Sequence, residues 1–160
     1  MSRSTVRHAV YNYLSGKSIA NVTFYPAASK TYPPPDTATP TNVASFPFIA
    51  GQNEKRLGMG KKQITYTVTL ELLGFSIQPA AEDGQDDVDA LYEAVLDVIR
   101  QDPTLGTSGG SNPIFQAGEG NGLGSADLNL RQELPMTSTD ETGVHFWAHL
   151  DITALEIINA

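Results

Sequence analysis

The chain of 160 residues contains no cysteine. That absence removes disulfide staples, thiolate metal sites and cysteine nucleophiles together, and it is compatible with a reducing compartment. Cations are scarce as well: ten Lys and Arg face eighteen Asp and Glu, for a net charge of −8. A protein that coats nucleic acid needs clustered cations to displace counterions, and this balance argues against that role. No apolar run approaches the roughly 18 residues of a transmembrane helix. The opening MSRSTVRHAV also lacks the apolar core of a secretory leader. The expectation is a soluble protein made in the cytoplasm. With 40% hydrophobic and 8% aromatic residues, the chain can bury one core, and 1–160 reads as a single domain.

What is present has clear periodicity. In STVRHAVYNYLSG, Val6, Ala9, Val10, Tyr13 and Leu14 recur at helical spacing, and Gly16 follows as a stop. IANVTFYPA, residues 19–27, is rich in branched and aromatic side chains and reads as a short strand ended by Pro26. Five prolines between Pro33 and Pro47 exclude a helix and hold the backbone extended. This stretch predicts a projecting loop or arm at about 28–48, after which FPFIAG is apolar enough to re-enter a sheet.

The clearest element is QITYTVTLELLGF. Ile64, Tyr66, Val68, Leu70 and Leu72 alternate with Thr65, Thr67, Thr69 and Glu71, the pattern of a long strand with one buried and one wet face. A second helix is expected from about Asp86 to Arg100, burying Val88, Leu91, Tyr92, Val95 and Ile99. Two closing strands follow, in SADLNLRQEL and TGVHFWAHLDITALEII. The order α-β-β-β-α-β-β lacks the alternation that builds a parallel sheet, so the expected class is α+β, an antiparallel sheet flanked by two helices with long Pro-rich and Gly-rich loops.

The motifs that could carry chemistry fail on spacing. GEGNGLG places glycines at 118, 120, 122 and 124, whereas a dinucleotide loop needs G-x-G-x-x-G between a strand and a helix, and no Walker sequence exists in the chain. The segment reads as a pliable loop at a subunit contact. His145 and His149 sit on a strand pattern, about 13 Å apart, too far to share one zinc; they are expected to border Trp147 on a polar or interface face. EDGQDDVDA lacks the oxygen spacing of a calcium loop and reads as an acidic helix start that suits the helix dipole. No G-x-S-x-G elbow arranges a Ser, His and Asp for nucleophilic attack. The expectation is a non-enzyme without catalytic residues, cofactor or metal.

EKRLGMGKK concentrates Lys55, Arg56, Lys61 and Lys62, four of the ten cations, on one turn. Two readings of it stand: a solvated hairpin tip, or a contact with the acidic helix start, or another acidic surface, of a neighbouring copy. Charge asymmetry of the second kind suits head-to-tail association, which closes into rings.

In order, the VRHAVYNYL helix, the Pro-rich excursion, RLGMGKKQITYTVTLEL, DALYEAVLDVIRQDPTLG and the final HFWAHLDIT strand resemble the tail-terminator and tail-completion proteins of long-tailed bacteriophages. The resemblance covers most of the chain. It implies a virion protein without enzymatic activity, assembled in the host cytoplasm, that forms a sixfold ring at the head-proximal end of the tail tube. The implied partners are other copies of the chain, the tail tube protein and the head-tail connector, with DNA passing through the lumen as cargo and no membrane. Within that frame Arg56, Lys61 and Lys62, with the aromatic Tyr32, Phe46 and Phe48 of the arm, are the expected interface residues. Val68 and Leu150 belong to the core. A head-completion or neck protein, the tube subunit and a small-molecule-binding α+β module remain as competing readings.

Overall fold

The computed structural model describes residues 3–28, 40–78, 81–102, 104–105, 114–115, 128–137 and 143–159. The first helix, α1 (Arg3–Ser15), buries Val6, Val10 and Leu14 on one stripe. It ends where Gly16 donates back to the Asn12 carbonyl at 3.2 Å. The strand expected over 19–27 shrinks to β1 (Val22–Phe24). Ser18 and Asn21 take positive φ of 50° and 60° just before it, which breaks the extended run, and Pro26 prevents its continuation.

Strands β2 (Thr41–Gly58) and β3 (Lys61–Ser76) form one long antiparallel hairpin, and β7 (Val144–Asn159) pairs antiparallel with β3 along its whole length. The short strands β4 (Ile114–Phe115), β5 (Asn129–Gln132) and β6 (Met136–Thr137) all pair with the outer side of β7. The helix α2 (Ala81–Gln101) lies between β3 and β4 in sequence. The fold is therefore α+β.

The sheet and the arm depart from the sequence expectation. The sheet is mixed rather than wholly antiparallel, because β1 runs parallel to β2, with Val22 opposite Val43 and Phe24 opposite Ser45. A parallel pair needs a long crossover, and residues 25–40, which include most of the Pro-rich stretch, supply it. The arm expected at 28–48 lies outside the described residues over 29–39, while residues 41–48 are not an arm at all but the first half of β2. Pro47 is tolerated inside that strand because β1 flanks β2 only as far as Ser45, so Pro47 sits where that side carries no strand. The Gly-rich segment 118–124 lies outside the described residues.

Both helices cover the same face of the sheet. Val6, Val10 and Leu14 of α1 and Val88, Tyr92, Val95 and Ile99 of α2 meet Tyr66, Val68, Leu70 and Leu72 of β3 and Phe146, Ala148, Leu150 and Ile152 of β7 in one core. Each large apolar side chain removed from water here stabilises the fold by about 1.5–3 kcal/mol. Tyr13 Oη donates to the Val98 carbonyl at 3.2 Å, tying the helices together, and Tyr92 Oη donates to the Leu72 carbonyl at 3.1 Å, tying α2 to the sheet. The helix α2 starts five residues before the expected Asp86. Gly84 permits this: a Cβ there would stand 2.8 Å from Ser76 Oγ, so only glycine lets the first turn pass this close to the end of β3.

The alternation read in Gln63–Leu72 is present, but the second face is wet only in the first half of β3. From Val68 to Ser76 every residue is buried, including Thr69, Glu71, Leu73 and Phe75 on the face without helices.

Candidate functional site

The hairpin of β2 and β3 outruns the helices. From Gln52 to Lys61 every residue is exposed, so among the described residues no layer packs on either face of this part. Gly60 closes it with φ 79°, a conformation that glycine adopts without strain. The basic turn therefore occupies the far tip of the sheet. Lys62 Nζ lies 3.0 Å from Glu54 Oε2 across the hairpin. Lys55, Arg56 and Lys61 have no ion pair among the described residues. Leu57 and Met59 stand exposed between them, Met59 completely so; neither is among the residues the sequence singled out.

The acidic start of α2 occupies the opposite end. Asp87 Oδ2 accepts from Thr41 Oγ1 at 3.3 Å and from Gln78 Nε2 at 3.0 Å. Thr41 and Ser76, the last pair of the β2–β3 ladder, lie 2.9 Å apart through their hydroxyls. Glu82, Asp83 and Asp86 on the same turns are exposed. Lys61 and Ser76 bound one continuous strand. At about 3.3 Å per residue that strand holds the basic tip and the acidic helix start about 50 Å apart. They cannot meet within one molecule.

Phe46 and Phe48 are half-buried on the helix-free face, opposite Glu71 and Thr69, and are separated from Arg56 by about 26 Å or more of strand. The structure thus does not bring the aromatic and basic candidates into one cluster, and Tyr32 lies outside the described residues. Val68 and Leu150 are fully buried core residues.

The helix-free face carries a polar cluster that sequence reasoning located only through its histidines. His145, Trp147 and His149 alternate along β7, with the Trp147 and His149 rings stacked at 6.0 Å and the His145 ring 4.9 Å from that of Phe75. Trp147 Nε1 donates to Glu71 Oε2, and His149 Nδ1 lies 2.9 Å from Glu71 Oε1. One rung along, Thr69 Oγ1 donates to Asp151 Oδ1 at 2.7 Å, and Arg131 reaches the other oxygen of Asp151 at 3.6 Å. The signal available in the sequence was the strand register: once β3 and β7 pair antiparallel, Glu71 falls opposite His149. The Trp147–Glu71, His149–Glu71 and Thr69–Asp151 pairs link β3 and β7 across the ladder and order this face.

Among the described residues, no set of three His, Cys, Asp or Glu stands close enough to hold a metal ion, and no helix is long and apolar enough to cross a membrane. No family model and no curated protein matches the sequence.

Proposed function

We propose that this chain is a structural subunit of a phage virion, of the tail-terminator type, which assembles head to tail into a ring at the head-proximal end of the tail tube. One observation carries the reading: three cations with no ion pair among the described residues project at one end of a continuous strand, while three exposed carboxylates stand about 50 Å away at its other end. Opposite charges fixed that far apart on one subunit attract between copies and never within one. An interface between two different patches repeats from copy to copy, and closes into a ring when its rotation permits. A ring of subunits with a net charge of −8 also suits a lumen through which DNA slides without being gripped. The role asks for no catalysis.

Electron microscopy of lysates from a phage lacking this gene tests the assignment. Overlong tubes beside DNA-filled heads support termination of tail growth. Tails of normal length beside unattached heads move the protein to the neck, and normal infectious particles overturn the structural role.

A further inference from the structure

The large apolar side chains left exposed are not scattered over the surface. Among the described residues they are Tyr25, Leu57, Met59, Ile77, Leu134 and Trp147. Leu57 and Met59 belong to the basic hairpin tip. The other four gather toward the acidic end. Ile77 follows the last residue of β3, and its N–H donates to the Pro40 carbonyl. Trp147 pairs with Leu73, three residues from the end of β3. Leu134 follows Glu133, whose N–H donates to the Trp147 carbonyl at 2.8 Å. Tyr25 is held by the Ser45 carbonyl. Between the two ends, the described side chains of the sheet include no other large apolar group exposed to water.

We infer that the hairpin tip is an apolar anchor: Met59, with Leu57 beside it, docks on a second copy of this chain at the patch formed by Trp147, Leu134 and Ile77. The inference rests on the head-to-tail reading above and names the contact that holds it. The occupant is another copy because the two ends match in both respects. The apolar tip is ringed by Lys55, Arg56 and Lys61. The apolar patch lies at the end that carries Glu82, Asp83 and Asp86, and beside Glu133, whose Oε1 is 3.9 Å from His149 Nε2. Exposed ion pairs at an interface contribute little individually, whereas a few desolvated apolar anchors carry most of the binding. The charges therefore steer and orient, and Met59 holds. Methionine suits this position: its unbranched, polarisable thioether adapts to an irregular surface and packs favourably against an aromatic ring such as that of Trp147.

The absence of native cysteine makes the test direct. The variant Met59→Cys carries one thiol, which takes a benzophenone photocrosslinker; position 59 is fully exposed, so the label does not disturb the fold. Isotopically heavy and light chains are mixed, irradiated, and crosslinked peptides mapped by mass spectrometry, while light scattering of unlabelled protein reports self-association. Heavy-light crosslinks to residues around 77, 134 and 147 are expected. Self-association with crosslinks confined to other regions overturns the anchor and leaves the head-to-tail reading standing. A protein that stays monomeric at every concentration overturns both. As a second measurement, Met59→Ser is expected to weaken self-association about tenfold or more, by the same factor at low and high salt. An effect that vanishes in high salt, or none, overturns the anchor.

Discussion

The indole N–H of Trp147 donates to the carboxylate of Glu71 across the β3–β7 ladder, on the face of the sheet that no helix covers. Glu71 is only 6% exposed, although it lies at a position where strict alternation would put it in water. The covering is made by its neighbours. Trp147 lies over it from β7, stacked with His149, and Phe46 faces it from β2. A buried carboxylate must have its oxygens answered, and here the indole answers one and the imidazole the other. The bond also fixes how Trp147 lies, with its polar edge inward and part of the ring left to solvent.

Trp147→Phe keeps most of the apolar area but leaves one oxygen of Glu71 without its donor. Loss of a bond to a buried charged group costs about 1–3 kcal/mol. Urea denaturation should show that loss as a lower midpoint with an unchanged slope. The double variant with Glu71→Gln should recover part of it, since a neutral amide is less costly to leave half-satisfied. Equal stability of wild type and Trp147→Phe would show that the bond contributes nothing net.

Two glycines of the long hairpin should respond oppositely to alanine. A Cβ on Gly74 would stand 2.9 Å from Val88 Cγ1, 3.1 Å from Tyr92 Oη and 3.2 Å from Phe146 Cβ. Tyr92 cannot yield freely, because its hydroxyl is bonded to the Leu72 carbonyl. Gly74→Ala should cost about 1–3 kcal/mol by forcing α2 away from the sheet. A Cβ on Gly58 meets nothing within 4 Å, so Gly58→Ala should be neutral or stabilise by a few tenths of a kcal/mol through the unfolded chain. Thermal melts of the pair decide the matter: equal shifts would mean that α2 does not pack on Gly74 as described.

Ser45 is fully buried on β2, and its hydroxyl finds no partner among the described residues. An orphaned hydroxyl in an apolar core is a liability of about 1–3 kcal/mol. Ser45→Ala removes one oxygen and opens only a small void, so the expected outcome is a higher melting temperature. A fall would mean that the hydroxyl is satisfied.

Much of this fold was legible because its strongest signals are local. Val6, Val10 and Leu14 at helical spacing, and Ile64 to Leu72 at period two, each name the face that ends up buried. The basic turn read from EKRLGMGKK is the hairpin tip. What the sequence hid depends on neighbours distant along the chain. Pro47 in a strand makes sense only once the parallel β1 is seen to stop at Ser45. The early start of α2 depends on Gly84 meeting Ser76. Burial of Glu71 depends on register with Trp147 and His149. At the candidate site the cations are visible as a run, while Leu57 and Met59 gain meaning only from the exposure of the hairpin tip around them.

The charge asymmetry makes the sharpest prediction. Reversing Lys55, Arg56 and Lys61 to Glu should weaken self-association at low salt about tenfold or more, since several exposed pairs of about 0–1 kcal/mol each turn from attraction to repulsion. Reversing Glu82, Asp83 and Asp86 to Lys should do the same, with an added cost of about 0.3–1 kcal/mol per residue to the first turns of α2 from the helix dipole; circular dichroism checks that the helix survives. Neither variant carries two complementary ends, so each should associate with itself more weakly than the native chain. Each keeps one native end and gains one end of reversed sign, so in a mixture the native tip of one finds the native acidic end of the other, and the two reversed ends also match in sign. Light scattering of the mixture should therefore show stronger assembly than either separate solution, the difference fading as salt shortens the range of the charges. Variants that assemble normally alone would show that the two ends do not meet.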